Sequence, residues 1–219
     1  MDKSDIVIFW HVAMMNHWRS VVQEQISKLS SSNLLLAAKK VFVCALGPTY
    51  FLKMLETIVE PNKITKHSEN LEEFEFFTLS ELREYSLKHP RDKILYFHTK
   101  GVSYPNKDHP VKHWREYMQH FVIGKWQECY KKLSDYDSVG CIRRVNPQLH
   151  WCGNFWWANA DYIQKLPPVE MLDRHDRVWA EMWLGIAGGN FHSLHQPGSD
   201  LRKALVELEQ SNTRKIACI

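Results

Sequence analysis

In the first half of the chain, short and continuously apolar runs alternate with segments whose apolar residues recur every three or four positions. Ile6-Val7-Ile8-Phe9-Trp10 is the first such run and reads as a β-strand buried on both faces. A loop through His11 and Asn16 then enters a helix from about Trp18 to Leu29, with Val21, Val22, Gln25, Ile26 and Leu29 as its inward stripe and Ser30-Ser31-Ser32-Asn33 as its end. Val41 to Leu46 repeats the strand pattern, and Gly47-Pro48 opens a helix through Phe51, Leu55 and Ile58. Lys63 to Asn70 has room for a short third strand. Thr78-Leu79-Ser80-Glu81 predicts a capping-box start for a helix to about Leu87, closed by His89-Pro90.

Ile94-Leu95-Tyr96-Phe97-His98 is the next buried strand, followed by a polar loop over Val102 to His109. Trp114, Met118, Phe121, Val122, Trp126, Cys129 and Leu133 then predict one long helix from about Pro110 to Leu133. Beyond it, Ser138 to Ile142 and Asn154 to Ala158 read as strands, and Asp161 to Leu166 as a short helix ended by Pro167-Pro168. Arg177 to Leu184 reads as a helix, Phe191 to His195 as a last short strand and loop, and Asp200 to Gln210 as a terminal helix. This alternation predicts an α/β fold, with a central, mostly parallel mixed sheet flanked by helices, in a single domain over residues 1–219.

Composition narrows the function classes. No run approaches the roughly 18 apolar residues of a membrane span, and the start, Met1-Asp2-Lys3-Ser4-Asp5, is too acidic for a secretory signal. The expectation is a soluble, cytoplasmic protein without direct membrane insertion, either alone or as part of a larger multi-domain enzyme. The five cysteines (Cys44, Cys129, Cys141, Cys152, Cys218) form no CxxC pair, which fits reduced and mostly buried thiols. A formal net charge of +3 with scattered basic residues gives no nucleic-acid footprint, although it suits an anionic small molecule. Nine tryptophans are many for this length and cluster around Trp151, Trp156 and Trp157, where flat indole faces can serve a sugar as well as a core.

His98-Thr99-Lys100-Gly101 ends a buried strand, and ligands of open α/β sheets sit beyond the carboxyl ends of the strands. A cation and a glycine there can meet a diphosphate with little obstruction. His11, Val12 and Ala13, after the first strand, fall on the same edge and are candidates to hold the nucleotide base. His150, Gly153, Asn154, Phe155, Trp156 and Trp157 form a second constellation, suited to a sugar and acceptor pocket. Alternation along a strand makes one of the two adjacent tryptophans core. Glu181, on an otherwise apolar helix, is the first candidate for a general base, with a structural ion pair to Arg143 or Arg144 as the alternative. Asp161 is a second candidate base, or only the cap of the helix after it. His192 and His195 are either metal or phosphate contacts or part of a surface turn.

In order and spacing, His11-Val12-Ala13-Met14-Met15, Tyr96 to Gly101, Gly153 to Trp157 and Glu181 resemble GT-A-type glycosyltransferases. The likeness is narrower toward small viral and bacterial sugar transferases, a group that includes the N-terminal domain of a chlorella virus glycosyltransferase. The resemblance implies a nucleotide-sugar donor and a glycan acceptor, with a divalent ion (Mn²⁺ or Mg²⁺) at the leaving diphosphate; Glu181 as base implies an inverting displacement, with a retaining one as the alternative. His98-Thr99-Lys100 also looks like the His-Thr-Lys signature of bacterial rhamnan-synthesis proteins, which implies an activated deoxyhexose such as rhamnose. The family's metal-binding Asp-x-Asp does not end this strand, so Lys100 could supply part of the charge stabilisation. Asp135-Tyr136-Asp137 has the letters but follows a helix, and reads as a turn. The alternative is a non-catalytic nucleotide-sugar or carbohydrate binding module on a degenerate cleft.

Overall fold

The protein is described from a computed structural model over residues 4–107 and 110–196. The terminal helix expected over Asp200 to Gln210, and Cys218, lie outside the described residues. A seven-stranded sheet runs through the middle in the order β3-β2-β1-β4-β8-β5-β9. Its strands are β1 (Ile6–Ala13), β2 (Lys40–Leu46), β3 (Ile64–Ser68), β4 (Lys93–His98), β5 (Ser138–Gly140), β8 (Trp156–Asn159) and β9 (Phe191–Ser193). Only β8 runs against its neighbours, pairing antiparallel with both β4 and β5. A separate two-stranded ribbon joins β6 (Arg143–Arg144) to β7 (His150–Trp151). The helices are α1 (Trp18–Ser31), α2 (Leu34–Ala37), α3 (Thr49–Leu55), α4 (Phe76–Lys88), α5 (Val111–Gln119), α6 (Trp126–Lys132), α7 (Ala160–Ile163) and α8 (Val178–Met182).

Strand alternation divides the apolar side chains into two layers. Ile6, Ile8, Trp10 and Val12 of β1, with Leu95 and Phe97 of β4 and Trp157 of β8, pack on the side of α1. Val7 and Phe9, with Ile94, Tyr96, Trp156 and Ala158, pack on the other side with Phe76, Leu79 and Leu82 of α4. Continuous apolar runs in β1 and β4 follow from this arrangement, because helices cover both faces of the sheet.

Three elements differ from the sequence reading. β1 continues to Ala13, because pairing with β2 extends to Ala13 opposite Leu46. His11, Val12 and Ala13 therefore belong to the strand, not to a loop after it. Helix α4 begins at Phe76, ahead of the expected cap, and Thr78 is buried inside it. The helix expected from Pro110 to Leu133 is interrupted: α5 ends at Gln119, His120–Gly124 is a π-helical turn, and α6 starts at Trp126. Gly124 ends this turn, with Lys28 Cε and Nζ of α1 3.0 and 3.1 Å from where a Cβ would stand.

Strand order places two histidines together. His11 and His98 are register partners at the carboxyl ends of β1 and β4, and they are 3% and 9% exposed. His11 Nδ1 lies 2.7 Å from Thr78 Oγ1. His98 Nε2 lies 3.0 Å from the Gly153 carbonyl, which can only accept, so Nε2 carries the proton. Burial drives the His11 pKa down to about 4, against the opposing charge of Glu75. Burial also drives His98 down to about 3, helped by the positive charge of Lys100.

Both rings are therefore neutral when folded, while in the unfolded chain they protonate near the ordinary histidine value of about 6.5. Their contribution to stability is complete above that value and is lost as pH falls toward the folded values. Each histidine steepens the decline by up to about 1.4 kcal/mol per pH unit. Denaturant unfolding between pH 7.5 and 5 is expected to show this decline, and His11→Gln a shallower one. An unchanged slope in the variant would contradict the buried neutral state.

Gly185, just after α8, tests the packing of the second half. A Cβ there would stand 1.6 Å from the Leu149 carbonyl oxygen, so Gly185→Ala must push α8 away from the segment before β7. Overpacking of this kind costs about 1–3 kcal/mol. A lowered melting temperature is the expected result.

Candidate active site

Strand order reverses between β1 and β4. From β1 the chain steps outward to β2 and β3, then returns to lay β4 on the other side of β1. Crossovers that leave in opposite directions open a crevice beyond the carboxyl ends of two adjacent parallel strands, where open α/β sheets bind ligands. In this chain that position is marked by the register partners His11 and His98, and Thr99, Lys100 and Gly101 follow directly from it.

Thr99 closes the β1–β4 edge. Its N–H donates to the His11 carbonyl (3.1 Å) and its Oγ1 accepts from the Ala13 N–H (2.9 Å). Gln25 reaches across from α1, accepting from Trp10 Nε1 (2.8 Å) and donating to the His98 carbonyl (2.7 Å). At Lys100 the main chain is held from outside the sheet: the buried Arg115 donates to the Lys100 carbonyl (2.8 Å) and makes a forked pair with Glu24 (3.0 and 2.8 Å). Gly101 then turns at φ +95, where a Cβ would stand 2.5 Å from Val111 Cγ1. With its backbone fixed, Lys100 presents its ammonium over the Trp114 ring, 4.1 Å from the centroid.

A second wall comes from the turn before β8. Gly153 has φ +90, and a Cβ there would meet Met118 Sδ at 2.6 Å. Its carbonyl accepts from His98, and its N–H donates to Glu181 Oε1. Asn154 Nδ2 donates to Glu75 Oε2 (2.6 Å), while Asn154 Oδ1 accepts from Trp156 Nε1 (2.7 Å). The same Glu75 oxygen accepts from Tyr96 Oη (2.8 Å), and Glu75 Oε1 stands 3.8 Å from His98 Nδ1. Burial and the carboxylate of Glu181 push the Cys152 thiol above its ordinary pKa, against the positive charges of Lys100 and Arg144. Lys100, Arg144, Cys152 and Glu181 therefore share one electrostatic neighbourhood at this edge.

The structure brings together His11, Thr99, Lys100, Gly101, Gly153, Asn154 and Glu181, but it changes several roles. Val12 is fully buried in the core, so its side chain cannot touch a base. Phe155 is buried and packs edge-on to His98, with ring centroids 5.1 Å apart. Trp156 and Trp157 are both 0% exposed and lie on opposite faces of the sheet, so neither is a sugar platform. Asn154, spent on Glu75 and Trp156, is a structural clip and not a reader of hydroxyls. His150 is buried, with Nδ1 bonded to the Gln148 carbonyl. Glu181 takes the Gly153 N–H, a partner different from the Arg143 or Arg144 of the alternative reading.

Asp161 lies elsewhere. It is exposed in the first turn of α7, after β8, and Asn159 of β8 pairs with Lys93 at the start of β4. The length of β4, roughly 16 Å at strand rise, separates it from His98. Asp161 cannot be the base of this crevice. His192 and His195 do not converge on a metal: His192 packs on Tyr136, whereas His195 stacks on Phe121 and bonds Tyr117 Oη. Asp137 of the Asp-x-Asp letters accepts from Asn190 N (2.7 Å) before β5, as a turn residue. The sequence reading did not single out Glu75, Glu24 or Arg115. Glu75 carries one local signal, an acidic residue at the start of an apolar helix.

No curated protein matches the chain. Among solved structures it is similar to a putative nucleotide-diphospho-sugar transferase from Desulfovibrio desulfuricans G20, with 10% identity over 88% of this chain and 80% of that one, at a TM-score of 0.47. It is also similar to HddC from Yersinia pseudotuberculosis (8% identity, 87% and 90% covered, TM-score 0.45). A third is 4-diphosphocytidyl-2C-methyl-D-erythritol synthase (10% identity, 91% of each chain covered, TM-score 0.46). Likeness this distant leaves the function to be read from the site itself. A family profile covers residues 8–202, and the chain belongs to that family, the Domain of unknown function (DUF8361).

Proposed function

We propose that the chain transfers a sugar from a nucleoside-diphosphate sugar to a hydroxyl of a glycan acceptor. The observation that carries this reading is Lys100, a cation with a clamped backbone at the strand-order reversal, in the same electrostatic neighbourhood as the half-buried carboxylate Glu181. An ammonium there stabilises the charge that gathers on a leaving diphosphate, in the role an acidic pair gives to a divalent ion in enzymes of the resembled type. Glu181, held by the Gly153 N–H, takes the acceptor proton as the new glycosidic bond forms and the diphosphate leaves. UDP- or dTDP-linked hexoses and an activated rhamnose are the donors to test first. Among the described residues no helix is long and apolar enough to cross a membrane.

A second reading, a module that binds the donor without turning it over, is favoured by one observation. At the end of β4, His98 and Thr99 are committed to backbone partners, and the strand ends in His98-Thr99-Lys100 in place of an Asp-x-Asp.

A thermal-shift panel of nucleotide sugars, followed by assays of donor hydrolysis and transfer, separates these readings. Loss of a charge-assisted contact weakens binding about tenfold or more, so Lys100→Ala should lose donor affinity to that degree. Glu181→Gln should keep donor affinity and lower kcat by about 10²–10⁴-fold. Unchanged donor affinity in Lys100→Ala would remove the central assignment, and binding without turnover in the native protein would favour the module.

A further inference from the structure

His150, Cys152 and Glu181 reach one point from three separate pieces of chain: β7, the turn after it, and α8. One donor atom from each lies within 4.8 Å of the others. Gly185 lets the chain after α8 lie against Leu149, the residue before His150, which fixes the two flanks relative to each other. His150 is 5% exposed and its Nδ1 lies 2.8 Å from the Gln148 carbonyl. A carbonyl only accepts, so Nδ1 carries the ring proton and Nε2 keeps its lone pair. The carboxylate of Glu181 is held through Oε1 by the Gly153 N–H. Such outer contacts, a carbonyl on the far side of an imidazole and a donor on one carboxylate oxygen, orient metal ligands in known sites.

We propose that His150, Cys152 and Glu181 form a binding site for a borderline-soft divalent ion of the Zn²⁺ class, with a fourth position open to solvent or substrate. One nitrogen, one sulfur and one oxygen donor suit Zn²⁺ or Co²⁺ and not Mg²⁺ or Ca²⁺, which take oxygen sets. Tetrahedral bonds of about 2.0–2.3 Å put ligand atoms roughly 3.3–3.8 Å apart, so the trio must close by about 1 Å. Cys152 and Glu181 are only partly buried, so theirs are the side chains that would make that movement. Cys152 binds as the thiolate and releases its proton to water. Thiolate and carboxylate together cancel the charge of the ion, which matters because Lys100 and Arg144 stand close enough to act on Cys152. With an ion bound, Glu181 is a ligand and no longer a free base, so the ion and the acceptor proton are alternatives for one carboxylate. The ligand set stands without the transfer reading, and its test uses no donor.

Chelator-treated, fully reduced protein titrated with Co²⁺ reads the site directly. One equivalent should bring visible bands of a tetrahedral ion and a near-ultraviolet thiolate charge-transfer band. Zn²⁺ should abolish both at one equivalent, while a large excess of Mg²⁺ should leave them unchanged. In Cys152→Ser the charge-transfer band should vanish, and Glu181→Gln should weaken binding at least about tenfold. Should Cys152→Ser not fold, the native protein supplies the answer, because Zn²⁺ should protect Cys152 from alkylation by iodoacetamide as read by mass spectrometry. Absence of stoichiometric binding, a charge-transfer band that survives Cys152→Ser, displacement by Mg²⁺, or unprotected alkylation of Cys152 would each overturn the assignment.

Discussion

Parallel pairing of β1 with β4, on the side of β1 away from β2, is the constraint on which the rest of the site depends. It puts His11 beside His98, and burial then keeps both rings uncharged. Thr78 meets His11 and Gly153 supplies a carbonyl to His98, while Glu75, 3.8 Å from the other nitrogen of that ring, favours the charged form and is outweighed by burial. A charged imidazole in either place would be desolvated at a cost of several kcal/mol. The cation at this edge stands two residues further along the chain, at Lys100, which is partly exposed and lies over the Trp114 ring.

Around that pair the polar contacts form a set of clips with few spare atoms. Gln25 uses both ends of its amide, Asn154 likewise, and Arg115 divides its guanidinium between Glu24 and the Lys100 carbonyl. Buried polar groups satisfied in this way specify one arrangement, because removing one partner leaves the other unpaired at a cost of about 1–3 kcal/mol. The glycines serve the same end by allowing close approach: Gly101 under Val111, Gly153 under Met118, and Gly185 against Leu149.

Much of the scaffold was legible because its signals are local. β1, β2 and β4 are unbroken apolar runs, and α1 shows its inward stripe, so the layers follow from pattern. The break after Gln119 was not legible, since the apolar stripe continues on either side of Gly124 and conceals the change of period. Roles within the site were harder still. Trp156 and Trp157 advertise aromatic surface, but only the register with β4 and β5 shows that each is spent in a different core layer. Asp161 stays a second candidate behind Glu181 until the antiparallel course of β8 carries it to the far edge. Glu75 and Arg115 become important only through partners distant in sequence, Asn154 and Glu24, and no motif spacing encodes such pairs.

The splitting of Trp156 and Trp157 between the two layers has a consequence for how the crevice meets a ligand. Their indole nitrogens bind Asn154 Oδ1 on one side and the Val122 carbonyl on the other, so the turn that carries Gly153 is riveted through the sheet to both cores. The main chain of that wall is thus set by contacts made in folding, and what freedom the turn keeps lies in the partly buried side chains of Cys152 and Glu181.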